Sequence, residues 1–540
     1  MDEYYVDKFK VILTNSAIII NNYEMGDAPS LEYNFKIWDP IIHTSVLVGM
    51  SYDEIKKRLF LPRGIDVSYV MRKLESRNMS EDPYEYCMKS CHRYDKTNPI
   101  RLRYGPRDQR QVDALNFMLC QNKYMHNMAK SQFAINLPTG AGKTYCSTAA
   151  ISYLGLKSII ITSQTGILEQ WKNAIMEYTN LSSNDICKLE GSAPIERILR
   201  GRSKSADKPI YLVTHSTLKS YGDKNGWESI GKLFEKLGIG LKFYDEAHQN
   251  FSNMCMIDFY TNVYRTYYVT ATPKRSNKDE NRVYALYMKS IPSVDLFDED
   301  KDPHTKYMAI RFNSNPRYTD ISNCKNMYDL DRMKYIDYLM GNENFWNMFD
   351  YIFNMVEKTG GKALFYIGKN DAILKVRDRI VRHYPEYEND IGIYTSISAS
   401  KQEEKSKRFI LTTTKSAGAG EDIKGLKYSV ILAEPFKSDV LAQQTLGRTR
   451  DNNTFYIELV DVGFKQVNNY YNAKKPIFSK YALSTKQIDI PKDQIHTVAQ
   501  TAYGERLDRI KRVVSFNEPK MRPAITFQDS NMINTITFYT

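Results

Sequence analysis

Residues 137–144 read Leu137-Pro138-Thr139-Gly140-Ala141-Gly142-Lys143-Thr144, and further on the chain reads Tyr244-Asp245-Glu246-Ala247-His248. The first segment follows an apolar stretch, Phe133 to Leu137, and precedes a helix-compatible run, which is where a strand–loop–helix phosphate cradle must sit. Gly140 and Gly142 let backbone N–H groups turn inward around phosphate oxygens. Lys143 then reaches the β- and γ-phosphates, and the Thr144 hydroxyl serves as a magnesium ligand. The second segment follows Ile239-Gly240-Leu241-Lys242-Phe243-Tyr244, a buried-strand pattern. It delivers Asp245 to the magnesium and Glu246 to the attacking water. A short Gly/Lys/Thr match arises by chance, but two such segments in this order, each at a strand end, imply ATP hydrolysis with Mg2+.

Four further runs share one pattern. Ser158-Ile159-Ile160-Ile161 leads into Thr162-Ser163-Gln164-Thr165 and then Glu169-Gln170-Trp171. Ile210-Tyr211-Leu212-Val213 leads into Thr214-His215-Ser216-Thr217, and Thr266-Tyr267-Tyr268-Val269 into Thr270-Ala271-Thr272-Pro273. In the second half, Phe409-Ile410-Leu411 leads into Thr412-Thr413-Thr414 and on to Gly418-Ala419-Gly420-Glu421-Asp422. Each is a β-rich apolar run ending in small hydroxyl residues, a composition suited to strand tips that bind a phosphate backbone. Turn formation alone would account for any one of them. Lys362 to Gly368, Ile391 to Ser396 and Ser429 to Leu432 add more strand patterns, followed by Gln444-Thr445-Leu446-Gly447-Arg448-Thr449-Arg450.

The order of these segments, over residues 105 to 465, resembles the superfamily 2 helicases and translocases, most of all UvsW-like phage helicases and the poxviral transcript-release helicase. The resemblance implies an α/β fold of two tandem RecA-like P-loop NTPase lobes with ATP between them. Further, it implies that Gln111 reads adenine, that Thr139, Gly140, Ala141, Gly142, Lys143 and Thr144 hold the phosphates, and that Gly420 and Asp422 contact the ribose region. His248, Thr270, Thr272 and Gln444 become coupling elements, while Thr165, Gln170, Thr214, Thr217, Thr395 and Thr414 contact the nucleic-acid backbone. Arg448 matches the first finger arginine, which stabilises charge on the transferred phosphoryl group. Two departures stand out. Leu137 replaces a glycine of the general phosphate loop, and only Thr449 separates Arg448 from Arg450 where the family pattern has two residues. On a regular helix residues two apart diverge, so Arg450 joins Arg448 as a finger only if the backbone there is irregular.

The sequence of 540 residues suits several domains, and its boundaries are expected as follows. Residues 1–98 form a small β-rich substrate-binding domain, 99–295 the first lobe, 296–475 the second, and 476–540 a helical C-terminal extension. Trp38-Asp39-Pro40 and Leu61-Pro62-Arg63-Gly64 read as turns resembling those of the N-terminal domain of UvsW-like helicases. Asp298 to Pro303 reads as a charged hinge between lobes. In the tail, Ile495, Val498, Ala502 and Leu507 read as a docking stripe, with Arg506, Arg509, Lys511 and Arg512 on exposed faces. Lys474, Lys475 and Lys480 with Tyr470, Tyr471 and Phe478 form a candidate patch for stacking bases and holding phosphates, a solvated loop being the competing reading.

Lys and Arg exceed Asp and Glu by 75 to 63, a net charge of +12 that favours a polyanionic partner. DNA is expected, duplex or branched, with RNA unwinding or transcript release as alternatives. Seven scattered cysteines suit reduced thiols, and Cys87, Cys91 and His92 lack a second ligand pair for zinc. The N-terminus has no basic, then apolar, leader pattern, and no run reaches the ~18 apolar residues of a membrane span. A monomer in the cytoplasm, that of a host cell if the source is viral or phage, is the expectation; 40 Tyr against 4 Trp suit an AT-rich genome of that kind.

Overall fold

The computed structural model describes residues 9–39, 43–75, 84–138, 140–202, 207–270, 278–297, 303–326, 329–395, 398, 400–417, 423–448 and 454–517. Two seven-stranded sheets, each entirely parallel, carry the chain as tandem RecA-like α/β lobes.

In the first lobe the strand order is Ile186–Leu189, Ile210–Thr214, Ser158–Thr162, Leu241–Asp245, Arg265–Thr270, Gln132–Asn136, Ser293–Asp295. Strands covered on both faces need apolar runs rather than alternation. Ser158–Thr162 and Ile210–Thr214 meet that need, since every residue in both is buried. Because all strands run the same way, their C-terminal ends share one edge. Along it lie the phosphate loop after Asn136, and Thr165, Thr214, Asp245 and Thr270. Ligands of open parallel sheets bind beyond that edge.

In the second lobe the order is Ile391–Tyr394, Phe409–Thr412, Lys362–Ile367, Leu426–Ala433, Thr454–Asp461, Thr305–Phe312, Ser484–Asp489. The Glu343–Lys358 helix shows why its sequence docks on this sheet. Asn342 caps it by accepting the Phe345 N–H at 2.9 Å, and Phe345, Met348, Phe349, Ile352, Phe353 and Val356 form one buried stripe.

The expected boundary at 475 is corrected by this sheet. It falls inside the Lys465–Tyr481 helix, and the strand Ser484–Asp489 pairs with Thr305–Phe312 as an edge of the second lobe. Only then does the Ile495–Asn517 helix begin, packed on Glu343–Lys358. Its docking register is also corrected. Ile495, Ala499 and Arg506 are buried whereas Leu507 is exposed. Arg506 lays its guanidinium 4.6 Å from the centre of the Tyr384 ring and pairs with Glu386. A long Arg stem thereby fills a position that helical spacing alone assigns to an apolar residue.

The N-terminal region is β-rich: Phe9–Leu13, Ala17–Asn21, Ser51–Asp53, Arg58–Pro62 and Tyr84–Met88 form a five-stranded sheet, beside a hairpin of Lys36–Asp39 and Thr44–Leu47. Rather than standing apart, it shares one continuous apolar cluster with the first lobe, Phe60 lying over Phe259 and Tyr260 at 6.0 and 4.9 Å. Trp38 and Asp39 belong to the hairpin strand, with the Trp38 ring largely exposed, and Leu61 and Pro62 end a strand before the turn. Gly64 is required there, since a Cβ would lie 1.9 Å from the Tyr287 carbonyl oxygen. The hinge residues Asp298 to Asp302 lie outside the described residues. Among the described residues no helix is long and apolar enough to cross a membrane.

Candidate nucleotide and nucleic-acid site

The phosphate loop leaves the strand Gln132–Asn136 and enters the Lys143–Leu154 helix. Gly142, at φ +95°, takes a left-handed conformation that a side chain would resist, and a Cβ there would lie 2.2 Å from Gln111 Nε2. The Gln111 amide spans the loop: Nε2 donates to the Ala141 carbonyl at 3.1 Å, and Oε1 accepts the Arg107 N–H at 2.8 Å. Arg107 in turn donates from Nη2 to the Gly140 carbonyl at 3.2 Å. Asp108, accepting the Gln111 N–H at 3.0 Å, caps the helix that carries this glutamine. Thr139 lies outside the described residues.

Asp245 is the last residue of its strand, and Glu246 follows at φ +53°, a left-handed backbone that a non-glycine residue adopts only under tertiary constraint. That turn brings Glu246 Oε1 to 2.5 Å from Lys143 Nζ. Burial alone would raise the Glu246 carboxyl, but the Lys143 ammonium, together with His248 and Arg448, holds the group ionised below its ordinary range. Asp245 moves the opposite way, pushed up by burial and then by the Glu246 charge. A buried carboxylate pair beside one ammonium leaves Asp245 short of positive charge. A loop turned by left-handed Gly140 and Gly142 with Lys143 at its end, and a carboxylate lacking a countercharge, fit a polyphosphate and a divalent cation, respectively.

From Glu246 a hydrogen-bonded chain crosses between lobes. Thr270 Oγ1 donates to Glu246 Oε2 at 3.3 Å, and His248 Nδ1 lies 2.7 Å from Thr270 Oγ1. On its other side His248 Nε2 lies 2.8 Å from Gln444 Nε2 of the second lobe. His248 Nδ1 also lies 3.5 Å from Glu246 Oε2, so the imidazole bridges the Gln444 amide and the Thr270–Glu246 pair. Arg448 is buried and lines the same cleft, which encloses about 1080 Å3. Its charge further favours the ionised form of Glu246. The Asp439–Leu446 helix ends before Arg448. Arg450, Thr272, Gly420 and Asp422 lie outside the described residues.

The hydroxyl residues assigned to a nucleic-acid backbone do gather at the strand edges, and Gln164 Nε2 donates to the Lys415 carbonyl at 3.4 Å where the two edges meet. They differ in availability. Thr165 is exposed, and Gln170 and Thr217 are half-buried. Gln170 lines the nucleotide cleft. Thr214 is buried and caps the His215–Asn225 helix, its Oγ1 accepting the Thr217 N–H at 3.2 Å. Thr395 is buried with its N–H donating to Ser398 Oγ at 2.8 Å, and Thr414 gives both its hydroxyl and its N–H to the Glu434 carboxylate.

The Lys474 patch is corrected outright. Lys474 is fully buried, paired with Glu458 and 4.1 Å from the centre of the Phe436 ring. Tyr470 donates to Asp329, Tyr471 to Gln487, and Phe478 stacks on Tyr307 at 3.8 Å. These residues form the inner face of their helix, and only Lys475 and Lys480 reach solvent. Two features escaped the sequence. Trp171 donates from Nε1 to Asp245 Oδ2 at 2.8 Å, and Tyr145, donating to the Tyr104 carbonyl at 2.9 Å, meets Tyr178 edge-on beside the phosphate loop. The Gln170-Trp171 pair, so near a strand tip, was a signal for the first.

Residues 106–275 match the family described as type III restriction enzyme, res subunit. The Rad25 DNA 3′-5′ helicase of Haloarcula marismortui is 26% identical over 164 residues, 30% of this chain and 24% of that protein. The DNA 3′-5′ helicase XPB of Mycobacterium tuberculosis is 28% identical over 114 residues, 21% of this chain and 18% of that protein. The chain thus spans about a fifth to a quarter of the length of these curated relatives. The crystal structure of T4 UvsW aligns with 89% of this chain and 100% of its own at 15% identity and a TM-score of 0.34. The sequence matches bear out the resemblance to superfamily 2 helicases.

Proposed function

We propose that this chain is an ATP- and Mg2+-dependent DNA helicase or double-strand translocase of the superfamily 2 type, remodelling duplex or branched DNA in viral or phage replication, recombination or repair. It would act as a monomer in the cytoplasm of the host cell. The observation that carries the reading is the chain Glu246–Thr270–His248–Gln444, which ties the carboxylate beside Lys143 on one lobe to the other lobe. The named DNA 3′-5′ helicases among the relatives and the net charge of +12 support DNA as the track.

In this reading Gln111 sits beside the base, the loop N–H groups with Lys143 hold phosphate oxygens, and Asp245 and the Thr144 hydroxyl hold the cation. Mg-ATP supplies the phosphoanhydride whose cleavage drives the cycle. Glu246, kept ionised by Lys143, orients water and takes its proton on a carboxylate oxygen. His248 and Thr270 fix that carboxylate and report its position to Gln444, while Arg448 places positive charge in the cleft. Closure of the lobes aligns the two strand edges, with exposed Thr165 foremost, on one backbone. The N-terminal sheet and its hairpin would select branched substrates.

Glu246→Gln tests the assignment. It should bind ATP, lose turnover and remain trapped on DNA, and hydrolysis at the parental rate would overturn the site. A stalled-transcript release assay distinguishes the rival role as a transcript-release factor, which uses the same motor.

A further inference from the structure

Trp171 lies in the Thr165–Tyr178 helix, is buried, and its indole N–H reaches Asp245 Oδ2 at 2.8 Å across 74 positions of sequence. A buried indole needs an acceptor, and a main-chain carbonyl would satisfy it equally well. Here the acceptor is the carboxylate read above as the cation ligand, and a donor on one oxygen fixes how that carboxylate is turned. The same helix starts at Thr165, exposed at the edge where nucleic acid is expected, and is preceded by Gln164, which touches the Lys415 carbonyl of the second lobe. Six steps of rigid helix, about 9 Å of rise, separate Thr165 from Trp171. One element therefore meets the track, the opposite lobe and the cation-binding carboxylate.

We propose that Trp171 is a positioning residue that couples engagement of nucleic acid by the Thr165 end of its helix to the orientation of Asp245, and so to the affinity for the divalent cation. The proposal rests on the reading of Asp245 as cation ligand. A shift of the helix on binding a backbone moves the indole, and the carboxylate moves with it. By reciprocity, whatever nucleic acid does to cation affinity, the cation does to nucleic-acid affinity.

The test uses the full chain without turnover: binding of a fluorescent ADP analogue, followed by anisotropy while magnesium is titrated, with and without duplex DNA. In the parent, DNA should lower the magnesium midpoint. Trp171→Phe, which keeps an aromatic core and loses the N–H, should raise that midpoint by about ten- to a hundredfold, the worth of one hydrogen bond to a charged group, and abolish its response to DNA. Benzothienylalanine at position 171, isosteric with tryptophan but with sulfur in place of N–H, should do the same even if Trp171→Phe folds poorly. A magnesium midpoint and DNA response equal to the parent's in the benzothienylalanine protein would overturn the proposal and leave Trp171 a core residue. Asp245→Asn separates the two levels. If it shifts the midpoint while the position-171 variants do not, only the coupling falls; if it too leaves the midpoint unmoved, the cation assignment falls and the proposal with it.

Discussion

Gln444→Ala removes the contact between lobes that ends on His248. The lost bond is one neutral hydrogen bond of 2.8 Å, and such bonds contribute about 0.5–1.5 kcal/mol, or roughly two- to tenfold in rate. Gln444 lines a wide, water-accessible cleft, so His248 Nε2 can be solvated after the truncation and no large desolvation cost adds to this figure. The expected result is a two- to tenfold fall in DNA-stimulated kcat, with a smaller change in nucleotide affinity, since the phosphate loop is untouched. His248→Ala should cost more, because it also frees Thr270 and through it Glu246. A double-mutant cycle on kcat isolates the shared term: the two substitutions should be less than additive by about 0.5–1.5 kcal/mol. Additivity within about 0.3 kcal/mol would show that the contact does not transmit, and would refute the reasoning.

Arg448→Ala should lower turnover by about 10³ or more while nucleotide and DNA binding stay near parental levels, measured by steady-state ATPase and anisotropy; full activity would remove Arg448 from the site. Burial pushes the Glu434 carboxyl up to about 7, although Thr414 donates to it. A carboxyl raised above its unfolded value of about 4.3 costs nothing below that pH, and its cost grows as pH rises toward 7 and is complete above it. Glu434→Gln should therefore gain up to about 3 kcal/mol at pH 8 and much less at pH 5, read as the difference in thermal midpoints; an equal effect at both would contradict it. Asp258 accepts bonds from buried Lys242, Tyr244, Tyr268 and Tyr287, so Asp258→Ala should destabilise the first lobe by about 3–5 kcal/mol, and a loss under about 1 kcal/mol in thermal unfolding would show that the network is not needed.

Where the candidate site is built from contiguous backbone, its placement was legible in the sequence. Gly142, Lys143, Asp245 and Glu246 are each fixed by a strand end and the turn after it, and apolar runs such as Ser158–Thr162 declare their own burial. His248 and Gln444 could be assigned as coupling elements, yet nothing in their spacing shows that they touch across 196 positions. The failures have the same origin. Lys474 and Lys475 are neighbours in sequence, but a helix turns about 100° between them, which sends one to Glu458 and the other to solvent. A carboxylate in the middle of the otherwise apolar run Phe455 to Val460 was the available warning that Glu458 needs a buried cation. Arg506 misled in the same way, because its partners Tyr384 and Glu386 lie 120 residues and more upstream. Availability of threonine hydroxyls was likewise illegible: Thr414 depends on Glu434, and Thr214 on its role as a cap.

ATP turnover by the purified full chain, compared at one fixed salt concentration without nucleic acid and with duplex DNA, single-stranded DNA or RNA, bears most directly on the proposed DNA motor. Turnover should be low alone, rise strongly with DNA, and vanish in Lys143→Ala under every condition. Stimulation by RNA and not by DNA, or a rate indifferent to all three, would contradict it.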